Sequence, residues 1–206
     1  MAPSTRFWDK IAERYAKQPI ADEAAYEKKL EVTRAYFRPD MKVLEIGCGT
    51  GGTAIAHAPY VKQLHATDLS PKMIEIAQRN AADREVGNVS FSVASVEALN
   101  VPDGSFDAVL GLSVLHLLDD KDAAIGKIYR MLKPGGVFVS NTACIADSMR
   151  WFKLVAPIGA LFGLIPRVDI FTTQALVISL NQAGFTIEHQ WQSGKGKAVS
   201  IVAKRP

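Results

Sequence analysis

Only two cysteines occur in 206 residues, Cys48 and Cys144, and neither has a second thiol or a histidine at metal-ligand spacing. That shortage excludes a disulfide framework and a zinc site, so no metal is expected, and it favours a reducing compartment. Charge of one sign is scarce as well. Lysine and arginine exceed aspartate and glutamate by 24 to 21, and the two signs are interspersed, so the chain lacks the basic stripe that grips nucleic acid. No nucleic-acid partner is expected. Long apolar runs are missing too: the twelve uncharged residues from Leu154 to Ile165 are interrupted by Pro157 and fall short of the roughly 20 that cross a bilayer. The opening stretch MAPSTRFWDKIAERYAKQ has no apolar centre of the kind a secretory signal needs, and the cytoplasm is the expected location. Internal repeats and low-complexity linkers are also lacking.

What is present is a hydrophobic fraction of 48%, enough for one substantial core, and a single domain over 1–206 is expected. Residues 7–37 carry apolar side chains at helical spacing with a break at Pro19, which predicts a helical cap over 1–39. The period then changes. MKVLEIG, QLHATDLS, VSFSVAS, SFDAVLGLS and VFVSNTA are predicted strands, and GTGGTAIAHAPY, SPKMIEIAQRNAAD and DKDAAIGKIYRMLKPGG are predicted helices between them. Ser70 is the expected N-cap of the second helix and Pro71 its first residue. A final helix, TTQALVISLNQAG, precedes a hairpin of FTIEHQWQ and AVSIVAKR. The expected fold class is therefore α/β, a doubly wound, mostly parallel sheet of seven strands that the hairpin closes with an antiparallel edge.

The stretch VLEIGCGTGG, residues 43–52, ends a buried strand in four glycines. Gly47, Gly49 and Gly52 satisfy G-x-G-x-x-G, and Asp68 lies at the end of the next strand, which is the dinucleotide fingerprint. Any adenosine-bearing cofactor can use such a loop, because glycines let a nucleoside lie on the main chain and a carboxylate accepts from ribose hydroxyls. Glu45 discriminates by sign. A carboxylate two residues before Gly47 repels a pyrophosphate and attracts an ammonium or a sulfonium. The glycines alone also fit an ordinary tight turn between strand and helix.

Four stretches together, VLEIGCGTG, ATDLSPKMIEIAQ, VPDGSFDAVLGLSVLHLL and RMLKPGGVF, resemble the class I S-adenosylmethionine-dependent methyltransferases, in the branch of ubiquinone/menaquinone C-methyltransferase-like enzymes. The resemblance is concentrated in residues 40–140, the expected cofactor-binding core. It implies a Rossmann-like seven-stranded sheet with an antiparallel last strand, S-adenosyl-L-methionine as cofactor and S-adenosyl-L-homocysteine as product. By the same resemblance Glu45 supports the methionine end, and Gly47, Cys48, Gly49 and Gly51 run beneath the adenosine. Asp68 holds the ribose, while Leu69 and Met73 lie near the adenine. Ser95 and Val96 stand where the family usually has an acidic acceptor for the adenine amino group, a departure that replaces a charged acceptor with a neutral one. Glu97 is the candidate to compensate. Tyr15 matches an aromatic of the cap that covers the cofactor, and Trp8 or Phe7 border the same pocket; plain packing onto the sheet explains these rings equally well.

Leu112 and Ser113 are expected to face the transferable methyl, since open α/β sheets bind ligands beyond the carboxyl ends of their strands. In-line methyl transfer needs positioning above all, and His116 is the candidate catalytic base if the acceptor needs one; a packed histidine is the competing reading. Asp119 and Asp120 are read as the start of a helix. Residues 145–171 form an apolar insert expected to act as a lid over a small lipophilic or aromatic acceptor, as a membrane-interface contact through 151–166, or as a dimer contact. A monomer and a homodimer both remain compatible. An NAD-dependent oxidoreductase and a noncatalytic S-adenosylmethionine-binding protein are the competing functions.

Overall fold

The computed structural model describes residues 3–149, 151, 156, 159, 160, 165–194 and 196–206. Two helices open the chain, α1 (Pro3–Ala16) and α2 (Glu23–Arg34), the second capped by Asp22, whose carboxylate accepts from the Ala25 amide at 3.0 Å. Then come β1 (Lys42–Ile46), α3 (Gly52–His57), β2 (Gln63–Asp68), α4 (Pro71–Ala82), β3 (Val89–Val93), β4 (Phe106–Leu112), α5 (Lys121–Met131) and β5 (Leu132–Thr142). The last elements are α6 (Thr173–Gln182), β6 (Thr186–Gln192) and β7 (Val199–Lys204). Ser70 caps α4 as expected, accepting from the Met73 amide at 3.2 Å, with Pro71 in the first turn.

The seven strands form one sheet in the order β3-β2-β1-β4-β5-β7-β6. β1 through β5 pair in parallel, and β7 runs antiparallel to both of its neighbours. The final hairpin therefore does not leave its antiparallel strand at the edge: β7 lies between β5 and β6, and β6 is outermost. One boundary also differs from the sequence pattern. α5 stops at Met131 and β5 begins at Leu132, two residues before Pro134, because the residue ahead of a proline is driven out of the helical region.

Alternate side chains of β1 serve two cores. Leu44 and Ile46 join Val109, Ile125, Phe138 and Leu176 beneath α5 and α6, while Val43 joins Val61, Leu64, Ile74 and Val139 on the opposite face. Fully buried strands in such a two-sided sheet are apolar almost throughout, so the charged Glu45 in the middle of β1 is an exception. The cap is fastened separately. Ala12 packs with Met73 and Ile76 of α4, and Asp9 accepts from the Ser70 hydroxyl at 2.6 Å. Much of the apolar insert, at 150, 152–155, 157, 158 and 161–164, lies outside the described residues, and with it most of the lid and membrane-contact expectation. No helix among the described residues is long and apolar enough to cross a membrane.

Candidate active site

The strand order reverses at β1, whose neighbours β2 and β4 leave in opposite directions, and a crevice opens at their carboxyl ends. It holds a cavity of about 530 Å³. The loop after β1 forms its floor. Gly47 has φ +65° and lies so close to β4's exit that a Cβ there would stand 2.5 Å from Val114 Cγ2. Gly49, at φ +54°, would place a Cβ 3.9 Å from the Tyr15 ring, so loop and cap helix face each other with little between them.

Asp68 fixes the geometry. Its Oδ2 accepts from the Gly49 amide and its Oδ1 from the Ser70 amide, each at 2.9 Å. Each oxygen keeps a lone pair for a further donor, and the side chain lines the cavity. Burial pushes this carboxyl above its ordinary value, and the amides of Ser70, Gly49 and Leu69 oppose that shift.

Of the residues expected to hold a cofactor, Tyr15, Gly47, Gly49, Asp68, Leu69, Met73, Ser95, Val96 and Ser113 line this one cavity, together with Trp8, Glu97 and Leu112. Ser95 also closes the turn after β3, its hydroxyl accepting from the Ala98 amide at 3.3 Å. Ser113 has φ +61°, rare for a residue with a side chain, and its amide donates to the Asn141 carbonyl at 2.7 Å. That hydrogen bond holds the strained turn in place at the exit of β4.

Four expected residues are not on the cavity wall. Cys48 donates its amide to the Thr67 carbonyl at 2.9 Å, and its side chain joins the core between β1 and α4. Gly51 is the N-cap of α3 in the left-handed region, and a Cβ there would meet Ala77 at 2.9 Å, so it lets α4 and β3 approach the loop. His116 sits in the short 3-10 turn Leu115–Leu117, which aims Leu117 into the cavity and His116 elsewhere. Its Nδ1 is buried without a partner and burial lowers its pKa, as expected of a packed neutral ring. His116 therefore stands off the wall of this cavity.

Glu45 is the fourth. It is 2% exposed, its Oε2 has no hydrogen-bond partner, and burial pushes its pKa up to about 8 against the smaller opposing effect of Lys29. Burial thus works against a standing negative charge beneath the loop.

Sequence reasoning missed the far end of the cavity. Asp119 and Asp120 line it, as do Pro166 and Arg167 from the end of the insert. Asp120 does cap α5, accepting from the Asp122 and Ala123 amides at 3.1 and 2.9 Å. Asp119 instead forms an ion pair with Arg167 at 3.0 Å, and the Asp169 amide donates to the His116 carbonyl at 2.8 Å. The insert's return thus lies along the turn after β4. Nothing in the local pattern marks Arg167, because its partner is a loop residue distant in sequence. No cluster of three metal-ligating side chains occurs among the described residues.

Residues 43–136 match the model of the methyltransferase domain family. The chain is 33% identical over 132 residues to the uncharacterized methyltransferase YcgJ of Bacillus subtilis, covering 64% of this chain and 52% of YcgJ. It is 36% identical over 113 residues to the ubiquinone/menaquinone biosynthesis C-methyltransferase UbiE of Shewanella piezotolerans, covering 53% and 45%. The matches span about half the length of these curated relatives. In three dimensions the crystal structure of YcgJ aligns with a TM-score of 0.69 at 20% identity, over 86% of this chain and 95% of that one. A geranyl diphosphate methyltransferase in complex with S-adenosylmethionine aligns with 0.71 at 16%, over 87% and 85%. The loop, the sheet order and these kinships together make residues 43–136 similar to a methyltransferase domain, with relatives among the ubiquinone/menaquinone C-methyltransferases, on a fold shared with solved methyltransferases.

Proposed function

We propose that the protein transfers a methyl group from S-adenosylmethionine to a small acceptor bound in the same cavity. The observation that carries this reading is Asp68, held by the Gly49 and Ser70 amides with lone pairs turned to the cavity where a ribose would lie. Gly47 and Gly49 leave room for the nucleoside against the main chain, and Leu69, Met73 and Val96 offer apolar walls for the adenine. Ser95 and Glu97 supply polar atoms at that end. Trp8 and Tyr15, edge to face with centroids 6.2 Å apart, cover the site from α1. The family's domain and its named relatives favour methyl transfer over the dehydrogenase that the glycine fingerprint alone would allow.

The acceptor half is bounded by Leu112, Val114, Leu117, Leu118 and Pro166, which suits a lipophilic or aromatic molecule. Bound S-adenosylmethionine supplies an electrophilic methyl on a sulfonium; the protein's part is alignment and exclusion of water, worth up to roughly 7–11 kcal/mol of the barrier. The residues of 145–171 that return over the cavity, Pro166 and Arg167, support a lid role for the insert.

Calorimetric titration with S-adenosylmethionine and with NAD tests the cofactor, and mass spectrometry of cell extracts incubated with protein and isotopically labelled donor tests the transfer. Binding of NAD alone, or binding of S-adenosylmethionine with no labelled product from any extract, would count against the proposal.

A further inference from the structure

The cap helix is joined to the cavity by a chain of hydrogen bonds that passes through one residue. Asp68 Oδ1 accepts from the Ser70 amide at 2.9 Å, and the Ser70 hydroxyl donates to Asp9 Oδ1 at 2.6 Å. The same Asp9 oxygen accepts from the Lys72 amide at 3.3 Å, while the Ser70 hydroxyl accepts from the Met73 amide at 3.2 Å. Ser70 is fully buried, so its hydroxyl is sealed from bulk solvent and its single proton is committed to Asp9.

Beyond this point α1 lies along α4. Trp8 and Ala12 pack on Met73 and Ile76, and Glu13 stands 3.9 Å from Arg79 in an exposed ion pair that contributes little. Every residue from 13 to 24, where α1 gives way to α2, is exposed. Thr5, Trp8 and Tyr15 of the same helix line the cavity, whereas Asp9, which directly follows Trp8, does not. Charge is a poor explanation for Asp9. It has the same sign as Asp68 and pushes the Asp68 carboxyl up, against the ionised form. What it supplies is an acceptor at the amino end of α4, where it takes two donors at once and suits the helix dipole.

Resting on the S-adenosylmethionine reading above, we propose that Asp9 is a positioning residue for cofactor binding: through Ser70 it holds the cap helix and the ribose carboxylate Asp68 as one unit, so that Trp8 and Tyr15 stand closed over the cavity. Without the tether, α1 has to be set in place each time the cofactor binds, and affinity falls by the fraction of molecules whose cap is closed. The cofactor also leaves faster, because the cover opens without first breaking a charged hydrogen bond. Asp68 keeps both of its amide donors throughout, and the rings of the cap are unchanged.

Calorimetry and stopped-flow displacement with S-adenosylhomocysteine test this. Asp9→Leu, which loses both accepted hydrogen bonds at similar size, should raise Kd about 10-fold, mostly through faster dissociation. Asp9→Asn keeps an acceptor oxygen and should stay within about twofold of the native protein. In a Tyr15→Ala background the loss caused by Asp9→Leu should shrink below about threefold, because one of the rings to be positioned is gone; a general loss of stability would give the same factor in both backgrounds. Should Asp9→Leu fail to fold, amide hydrogen exchange of the native protein gives a second reading: S-adenosylhomocysteine should slow exchange in residues 8–16 and 70–73 together. Native affinity in Asp9→Leu, an Asp9→Asn as weak as Asp9→Leu, an equal loss with and without Tyr15, or slowing confined to 70–73 each overturns the proposal and leaves the cofactor reading standing. A native protein that binds neither S-adenosylmethionine nor S-adenosylhomocysteine removes both readings.

Discussion

The amide of Gly49 donates to Oδ2 of Asp68 at 2.9 Å, tying the loop after β1 to the end of β2. The same carboxylate also holds the Ser70 amide, so one side chain sets the loop and the start of α4. Asp68→Ala should weaken S-adenosylmethionine binding about 10- to 100-fold, since a charged acceptor is worth roughly 1.5–3 kcal/mol, and should also cost stability by freeing two amides. Asp68→Asn keeps one acceptor oxygen and should fall between. Calorimetry for affinity and thermal melts for stability check both; unchanged affinity in the alanine variant would exclude Asp68 from the cofactor site.

Gly47→Ala should be severely destabilising. The new methyl would stand 2.5 Å from Val114 Cγ2 and 2.8 Å from its Cβ, on a backbone at φ +65°. Overpacking of this kind costs typically 1–3 kcal/mol, and the left-handed backbone adds about 1–2. Adding Val114→Ala should recover part of the loss, the steric part, in a denaturant titration. Full recovery would show that backbone conformation is unimportant there.

Stability should fall as pH rises from about 4.5 to about 8 on account of Glu45. The folded chain keeps the carboxyl proton up to about 8, whereas the unfolded chain loses it near the ordinary 4.5, so the native state binds more protons in that window. Glu45→Gln should therefore melt above the native protein at pH 8, and the gap should close toward pH 4.5. Parallel melting curves across that range would mean that Glu45 titrates alike in both states.

Neighbouring aspartates should give opposite results. Asp120→Ala removes the cap that accepts from two amides of α5 and should cost about 1 kcal/mol. Asp119→Asn breaks only its ion pair with Arg167, whose side chains are 78% and 73% exposed, and should change stability by less than about 0.5 kcal/mol. Chemical denaturation of the two variants side by side distinguishes them.

Much of this architecture is legible in local signals. Ser70 followed by Pro71 announces the start of α4, and the glycines after β1 announce a backbone that something must approach. The ring of cavity residues from Tyr15 to Ser113 follows from the order of strands, because a parallel sheet gathers the exits of β1, β2 and β4 at one end. What remains hidden depends on distant partners. Glu45 looks like a charge in a string of letters, and in the fold burial raises its pKa against the smaller pull of Lys29. Cys48 and Gly51 belong to the same glycine-rich string as Gly47 and Gly49, but turn toward the core and toward α4. His116 and Leu117 are adjacent in sequence, and the tight turn after β4 sends one to the cavity and the other into the packing. Arg167 is silent until the return of the insert sets it beside Asp119.

The placement of β7 inside the sheet has a consequence for synthesis. On the ribosome β6 emerges before β7, the one strand it pairs with among the described residues, so it stays without a strand partner until Val199–Lys204 arrives and slots in beside β5. A premature stop at Val199 would therefore delete one strand and leave two exposed, β5 on one flank and β6 without a strand partner.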